Sequence, residues 1–493
     1  MVSRSSAGGR GYRLLAAALA AVALAGCTSG GGNSGGSGPP PALRGNLYTG
    51  PVAHGSPTPF GMKWDWARVD AYGPYLRQLS GSATFYQFSW CEIEPRPGQR
   101  DWSSVDAVVR ASDRLGYPLF LKVRVGSCWA TGGQVGTARG DRQKTASAPP
   151  RSFDAYAEFV RATAARYAPM GVHEWAIENE VNAKNFWTGT PAQYEELVRR
   201  GSAALRAADP KARVLDGGIS STAYGVGIAD RLLARGEAAA AVAAYSRYYA
   251  RRFDLRAADF PRVRTGAELA SALRGEQPRR NLDYLEVTFR LIRDRVVDAD
   301  QLHFYESWDN VPALLDYLRS RLPPSFPVEA WEVGQFWPDG PADESVRGAE
   351  MVKSLALLLG GGIRRVIWLP LAFNAEGRQP AELRFGLLDP KGVVRPAGRA
   401  FATLVSAARG ASWQPVRVAG GGAGVAFARA GSTVLVVWGG SGARLRPLPG
   451  AATSVRTVTG DYVPVPPGGL SLGTLPVVVS VAGDVSVAIR MVS

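Results

Sequence analysis

Three cysteines and three histidines in 493 residues leave little with which to bind a metal. The histidines stand apart at 54, 173 and 303, none close to a cysteine, so neither a structural nor a catalytic zinc site is expected and no metal or cofactor is assigned. No glycine-rich dinucleotide fingerprint follows the first candidate strand, which argues against an open doubly wound sheet. No polybasic run with interleaved aromatics stands out, so no nucleic-acid partner is expected. What the chain does have is apolar residues, 46% of the total, enough at this length for a sizeable core.

The N-terminus is not part of that core. Arg4, Arg10 and Arg13 precede an apolar run, Leu14 to Leu24, too short to span a bilayer comfortably and built like an export signal, so residues 1–26 are expected to be removed. Leu24-Ala25-Gly26-Cys27 resembles the lipobox of bacterial lipoproteins, which implies that Cys27 is acylated and anchors the protein to a membrane. An ordinary small-residue cleavage site beside a coincidental cysteine is the alternative. Residues 27–44, rich in Gly, Ser and Pro, read as a flexible tether. The folded part is then extracytoplasmic, where Cys91 and Cys128 are compatible with a bridge. Loss of the three leader arginines takes the formal charge from +15 to +12. That excess suits an acidic polysaccharide or an anionic surface, or else is a solvated arginine-rich exterior.

From about residue 57 to 407, short β-rich runs alternate with amphipathic helical stretches, eight times. The candidate strands are Phe60–Trp64, Ala83–Ser89, "YPLFLKVRVG", "VHEWAIENE", "ARVLDGG", "DQLHFY", "FPVEAWEVG" and "IRRVIWLPL". Candidate helices include Ala67–Leu79, Ser104–Leu115, Phe153–Tyr167 and a fourth that starts at Thr190-Pro191 and ends at Ala208. Eight βα units predict an α/β chain of the (β/α)8 TIM-barrel type over residues 45–407. A helical insert at about 225–298, with "YSRYYARRF" (Tyr245–Phe253) inside it, either walls the cleft or packs on the flank. From 408 to 493 short alternating strands predict a small antiparallel β-sandwich, with Trp438 in its core.

Catalytic groups in such a barrel stand at the C-terminal ends of strands. Strand four is read as ending at Asn179-Glu180 and strand seven at Glu332, with Val328, Ala330 and Glu332 alternating onto the inner face. The two glutamates then face each other across the mouth, as hydrolysis of an acetal needs. With Asn before Glu180 and Gly two after Glu332, the pair resembles clan A of the glycoside hydrolases. "FSWCEIEPRPGQRDW" (Phe88–Trp102) is similar to that clan's loop after strand two, and "FWTGTPAQYEELVRRGSAALRAADPKARVLDGG" to the helix and strand after the acid/base in the β-xylosidase and α-iduronidase family. Val181 stands where that family more often has proline.

The resemblance implies a retaining hydrolase of a poly- or oligosaccharide, an exopolysaccharide among the options, with Glu332 as nucleophile and Glu180 as acid/base. Glu180 is expected to need a raised pKa, supplied by the charge of Glu332. By the same resemblance Asn179 donates to the sugar 2-hydroxyl, His303 and Tyr305 flank strand seven with the Tyr305 hydroxyl on Glu332, and Trp368 stacks on the sugar ring. Arg124 is expected to anchor Asn179 or a carboxylate, and Trp187 and Trp337 to line the cleft or pack loops. Glu178 is expected deep in the barrel as a structural acid, Glu329 towards the helices with an arginine, and Glu94 as a loop staple. The alternatives are a carbohydrate-binding lipoprotein without turnover and a transglycosylase using the same covalent intermediate.

Overall fold

In the computed structural model, which describes residues 57–132, 136–139, 142–250, 258–335, 343–373, 383–448 and 453–492, eight short strands run parallel. They are β1 (Phe60–Met62), β2 (Thr84–Ser89), β3 (Leu119–Arg124), β4 (Glu174–Ile177), β5 (Arg213–Leu215), β6 (Asp300–Phe304), β7 (Val328–Val333) and β8 (Val366–Trp368). Two four-stranded sheets, ordered β2-β3-β4-β5 and β1-β8-β7-β6, meet through isolated parallel bridges, Gly61 with Ala83 on one side and Leu215 with Ala299 and Ile219 with Leu302 on the other. This α/β arrangement fits a TIM barrel. Cys27 with the leader and tether, Trp337, and the end of the Tyr245–Phe253 stretch lie outside the described residues.

Local signals fix the helices. After β3 comes α1 (Phe153–Tyr167), and after β4 comes α2 (Pro191–Ala208). The Thr190 hydroxyl accepts from the Gln193 amide while Gln193 accepts from the Thr190 amide, and Pro191 sets φ for the first turn. The insert folds as α3 (Thr222–Ala234), α4 (Ala238–Tyr248), α5 (Gly266–Leu273) and α6 (Glu276–Arg293). Its tyrosines point back into the fold: Tyr248 donates to the Ser221 carbonyl and Tyr249 to that of Thr222. No described helix is long and apolar enough to cross a membrane.

The strand interior is filled by Ala83, Phe85, Phe120, Ala176, Leu215, Ala299, Trp331 and Ile367. This set corrects the expected alternation of β7. Trp331 and Glu329 face inward, whereas Val328 and Ala330 pack in the outer layer. Between Ala330 and Glu332 the strand takes two residues against one step of β6, Leu302 to His303, a bulge that turns Glu332 inward as well. Glu329 therefore pairs with arginines inside the strand layer, not on the helix side. Its carboxylate is 2.9 Å from Arg365 and 2.7 Å from Arg213, and Arg365 also holds Glu174 at 2.7 Å. Burial pushes the Glu329 carboxyl up, but Arg365 and Arg213 outweigh it and hold it at about 2. Arg365→Met strands that buried charge, and is expected to lower the free energy of urea unfolding by about 3–5 kcal/mol.

The C-terminal segment forms a five-stranded antiparallel sheet of Ser412–Val418, Gly422–Arg429, Ser432–Trp438, Val477–Ala482 and Thr453–Thr457, in that spatial order. Val425, Phe427, Val436 and Trp438 join the main core. The opposite face, with Ala426, Leu435 and Val437, is covered by a two-stranded ladder and the helix Val485–Arg490. The second layer is thus thinner than a full sandwich, because the first face is already sealed against the α/β body.

Candidate active site

Strand β4 stops at Ile177, three residues before Glu180. The chain then takes left-handed φ values at Glu178 (70°) and Glu180 (42°), uncommon for residues other than glycine. Hydrogen bonds over-determine this turn: the Glu178 carboxylate accepts from the Val125 amide at 2.6 Å and from Arg124 Nε at 3.3 Å, and the Glu180 amide donates to the Gly217 carbonyl. Gly217 is needed there, since a Cβ would stand 2.7 Å from the Ile177 carbonyl oxygen. Arg124 also donates to the Phe186 carbonyl, so it anchors a carboxylate and a loop but not Asn179.

Around this turn, three further strands deliver side chains to one point. His303 Nδ1 lies 3.0 Å from Glu180 Oε1 and 3.6 Å from Glu332 Oε2. The Tyr305 hydroxyl donates to Glu332 Oε2 at 2.8 Å. Lys122, fully buried in β3, donates to Glu332 Oε1 at 2.9 Å and to Asn179 Oδ1 at 2.7 Å. Because an ammonium only donates, it fixes the Asn179 amide with its oxygen toward Lys122 and its N–H groups free to point elsewhere. Gln301 holds the other side of the histidine, with Oε1 3.1 Å from Nε2 and its own amide donating to the Asp216 carbonyl.

One oxygen each of Glu180 and Glu332 and one nitrogen of His303 lie within 4.8 Å of one another. Three such donors could clasp a metal ion, but the Lys122 ammonium already sits against Glu332 and 3.3 Å from His303 Nε2, so the site carries its own cation. Burial alone would push the Glu332 carboxyl up; His303, Lys122 and the Tyr305 hydroxyl outweigh it and hold the group at about 2. Burial in turn pushes the Lys122 ammonium down, against the pull of Glu332.

The structure thus brings Asn179, Glu180, His303, Tyr305 and Glu332 together and adds Lys122, whose sequence signal is a lysine inside the apolar run "FLKVRV". Trp187 takes the loop-packing alternative, and Trp368 is not where it was expected. Trp187 is fully buried, edge-on to Tyr194, because Arg280 of α6 grips its carbonyl and closes the loop over it. Trp368 is 1% exposed and points to the outer layer: Ile367 lies in the inner cluster with Leu369 packed against it, so the intervening side chain must point away. Glu94 staples its loop, accepting from Trp90 Nε1, the Gly98 amide and Arg100. Cys91 and Cys128 are bonded to each other.

The insert meets this site through α6. Arg280 donates to the carbonyls of Val181, Asn182 and Trp187, and Tyr284 to that of Gly189, bracing the segment that leaves Glu180.

No protein-family model matches the chain, and no curated protein matches it. Solved structures do share its fold. A family 39 glycoside hydrolase from the gut symbiont Bacteroides cellulosilyticus WH2 aligns at 16% identity over 86% of this chain and 81% of that one, with a TM-score of 0.56. A family 39 β-xylosidase from Caulobacter crescentus aligns at 15% identity over 89% and 98%, TM-score 0.52. The family 39 enzyme from Xanthomonas axonopodis pv. citri gives 12%, 89% and 96%, and 0.51.

Proposed function

We propose that the chain is a retaining glycoside hydrolase of clan A type, with the two parallel sheets closed as a (β/α)8 barrel. The observation that carries this reading is the carboxylate pair, Glu180 and Glu332, with oxygens within 4.8 Å and unequal partners. Inverting enzymes hold their carboxyl groups about 6.5–9.5 Å apart to admit a water, retaining ones about 5–5.5 Å. The fold shared with family 39 glycosidases supports it.

Glu332, kept ionised by Lys122 and Tyr305, attacks the anomeric carbon, and the C–O bond to the leaving sugar breaks as Glu180 gives that oxygen its proton. His303 meets Glu180 Oε1 through Nδ1 and Gln301 Oε1 through Nε2, so the imidazole, held on its far side, orients the acid/base carboxyl. In the second half, Glu180 takes a proton from water, whose oxygen displaces Glu332 with net retention. The Asn179 amide hydrogens meet the sugar 2-hydroxyl. A lipid on Cys27 holding the enzyme to the cell envelope belongs to the same proposal, carried by the leader sequence.

Reducing-end release from plant, host and bacterial polysaccharides by the chain from residue 42 tests the reading; binding of a glycan with no release by wild type would sink it. Lys122→Met is expected to lower kcat/KM by about 10²–10³, as for loss of a preorganised electrostatic partner. It also shifts the acid limb of the pH profile upward, because Glu332, about 2 with Lys122 in place, then protonates at higher pH.

A further inference from the structure

We infer that the sugar bound beside β1 carries a carboxylate, and that Lys63 is its ammonium partner. The inference rests on the glycosidase reading and narrows its substrate class.

Lys63 follows β1 directly. Gly61 faces the interior, where a Cβ would lie 3.0 Å from Ile367 Cγ1, and Met62 packs in the outer layer, so alternation brings Lys63 back to the inner side at the end that carries the site. Its ammonium is 5.4 Å from the centre of the Phe85 ring, and that of Lys122 is 4.8 Å from the same centre. Two cations therefore share one aromatic ring beside Glu332.

They differ in their partners. Lys122 has the Glu332 carboxylate and Asn179. Lys63 donates only to the Trp64 carbonyl at 3.3 Å and overlies Phe85 and Tyr86, and no described carboxylate lies within ion-pair distance of it. Nor is it needed to hold the nucleophile, because Oε1 of Glu332 is taken by Lys122 and Oε2 by Tyr305. Among the described residues this half-buried ammonium faces neutral rings with no carboxylate in direct contact, a place that a hydroxyl-only sugar leaves unpaired and a substrate carboxylate fills.

Burial lowers the Lys63 pKa to about 8, against the upward pull of Glu332 and Asp65 and with Lys122 adding to the fall. The preference for acidic substrate is therefore expected to fade as pH rises through about 8, where the ammonium is lost.

The carboxylate can come from a hexuronic acid or from a pyruvate ketal. The test uses polygalacturonate, alginate and hyaluronan beside their carboxyl-reduced forms, and a pyruvylated galactan beside its depyruvylated form. Reducing-end release is measured with wild type, and gel retardation by each polysaccharide with Glu180→Gln. Native forms are expected to be favoured at least about 10-fold over their neutral counterparts, and Lys63→Met to erase most of that ratio while Lys63→Arg keeps it. A mere surface-charge effect of a chain that keeps +12 without its leader arginines would survive loss of one lysine, so an unchanged ratio in a folded Lys63→Met overturns the inference. Equal cleavage or retardation of neutral and acidic forms overturns it too, and leaves the hydrolase intact. Selective retardation without release would instead keep the carboxylate site and remove the hydrolase. With neither release nor retardation, both fall.

Discussion

Glu332→Gln is expected to lower kcat by about 10⁴-fold or more, the loss typical when a catalytic nucleophile is removed. The amide has nearly the same shape, so binding should change little, but it has no charge to attack with. Lys122 then faces a neutral oxygen where it held a carboxylate at 2.9 Å. A smaller variant adds a stereochemical test. In Glu332→Gly a space opens on the face from which the nucleophile attacked, and added azide can enter it. An activated aryl glycoside should then yield a glycosyl azide of inverted configuration, identified by the proton coupling at the anomeric carbon. Full activity in Glu332→Gln would transfer the nucleophile's role elsewhere, and Glu329 is not a candidate: it is fully buried between Arg365 and Arg213, in the network at the strand ends away from Glu180.

Much of this site was legible because it follows from strand periodicity and local caps. The helix Phe153–Tyr167 and the start of Pro191–Ala208 are written in Ser152 and Thr190, whose hydroxyls accept the amides that a helix leaves open. What was not legible depends on single-residue irregularities. An extra residue in β7 cannot be seen in "VEAWEV", where either parity puts apolar side chains on one face, so alternation alone places Glu329 outward. Glu332 still came out inward, because the bulge restored the phase that the alternation had misplaced. In β8 the resemblance chose Trp368 for the sugar, while the pleat put its neighbours inside. Lys122 escaped for another reason: its role exists only across strands, with Asn179 and Glu332 distant in the chain. The insert's part is equally non-local, since Arg280 meets the carbonyls of Val181 and Asn182 from about a hundred residues away.

The second large effect separates the two halves of the proposed reaction. Glu180→Ala is expected to cost about 10²–10⁴ in kcat/KM for a natural glycan, whose sugar leaving group cannot depart without a proton. For an aryl glycoside with an acidic phenol the first step needs no such help, so kcat/KM should fall far less. Hydrolysis of the glycosyl-enzyme would still lack its base, and kcat should drop with KM as the covalent intermediate accumulates on Glu332. Azide needs no base and should restore turnover, giving a glycosyl azide of retained configuration, opposite to the product of Glu332→Gly. A loss equal for good and poor leaving groups would mean that Glu180 serves only to orient His303, its 3.0 Å neighbour. The proton would then have to come from the imidazole, and His303→Asn, not Glu180→Ala, would show the leaving-group dependence.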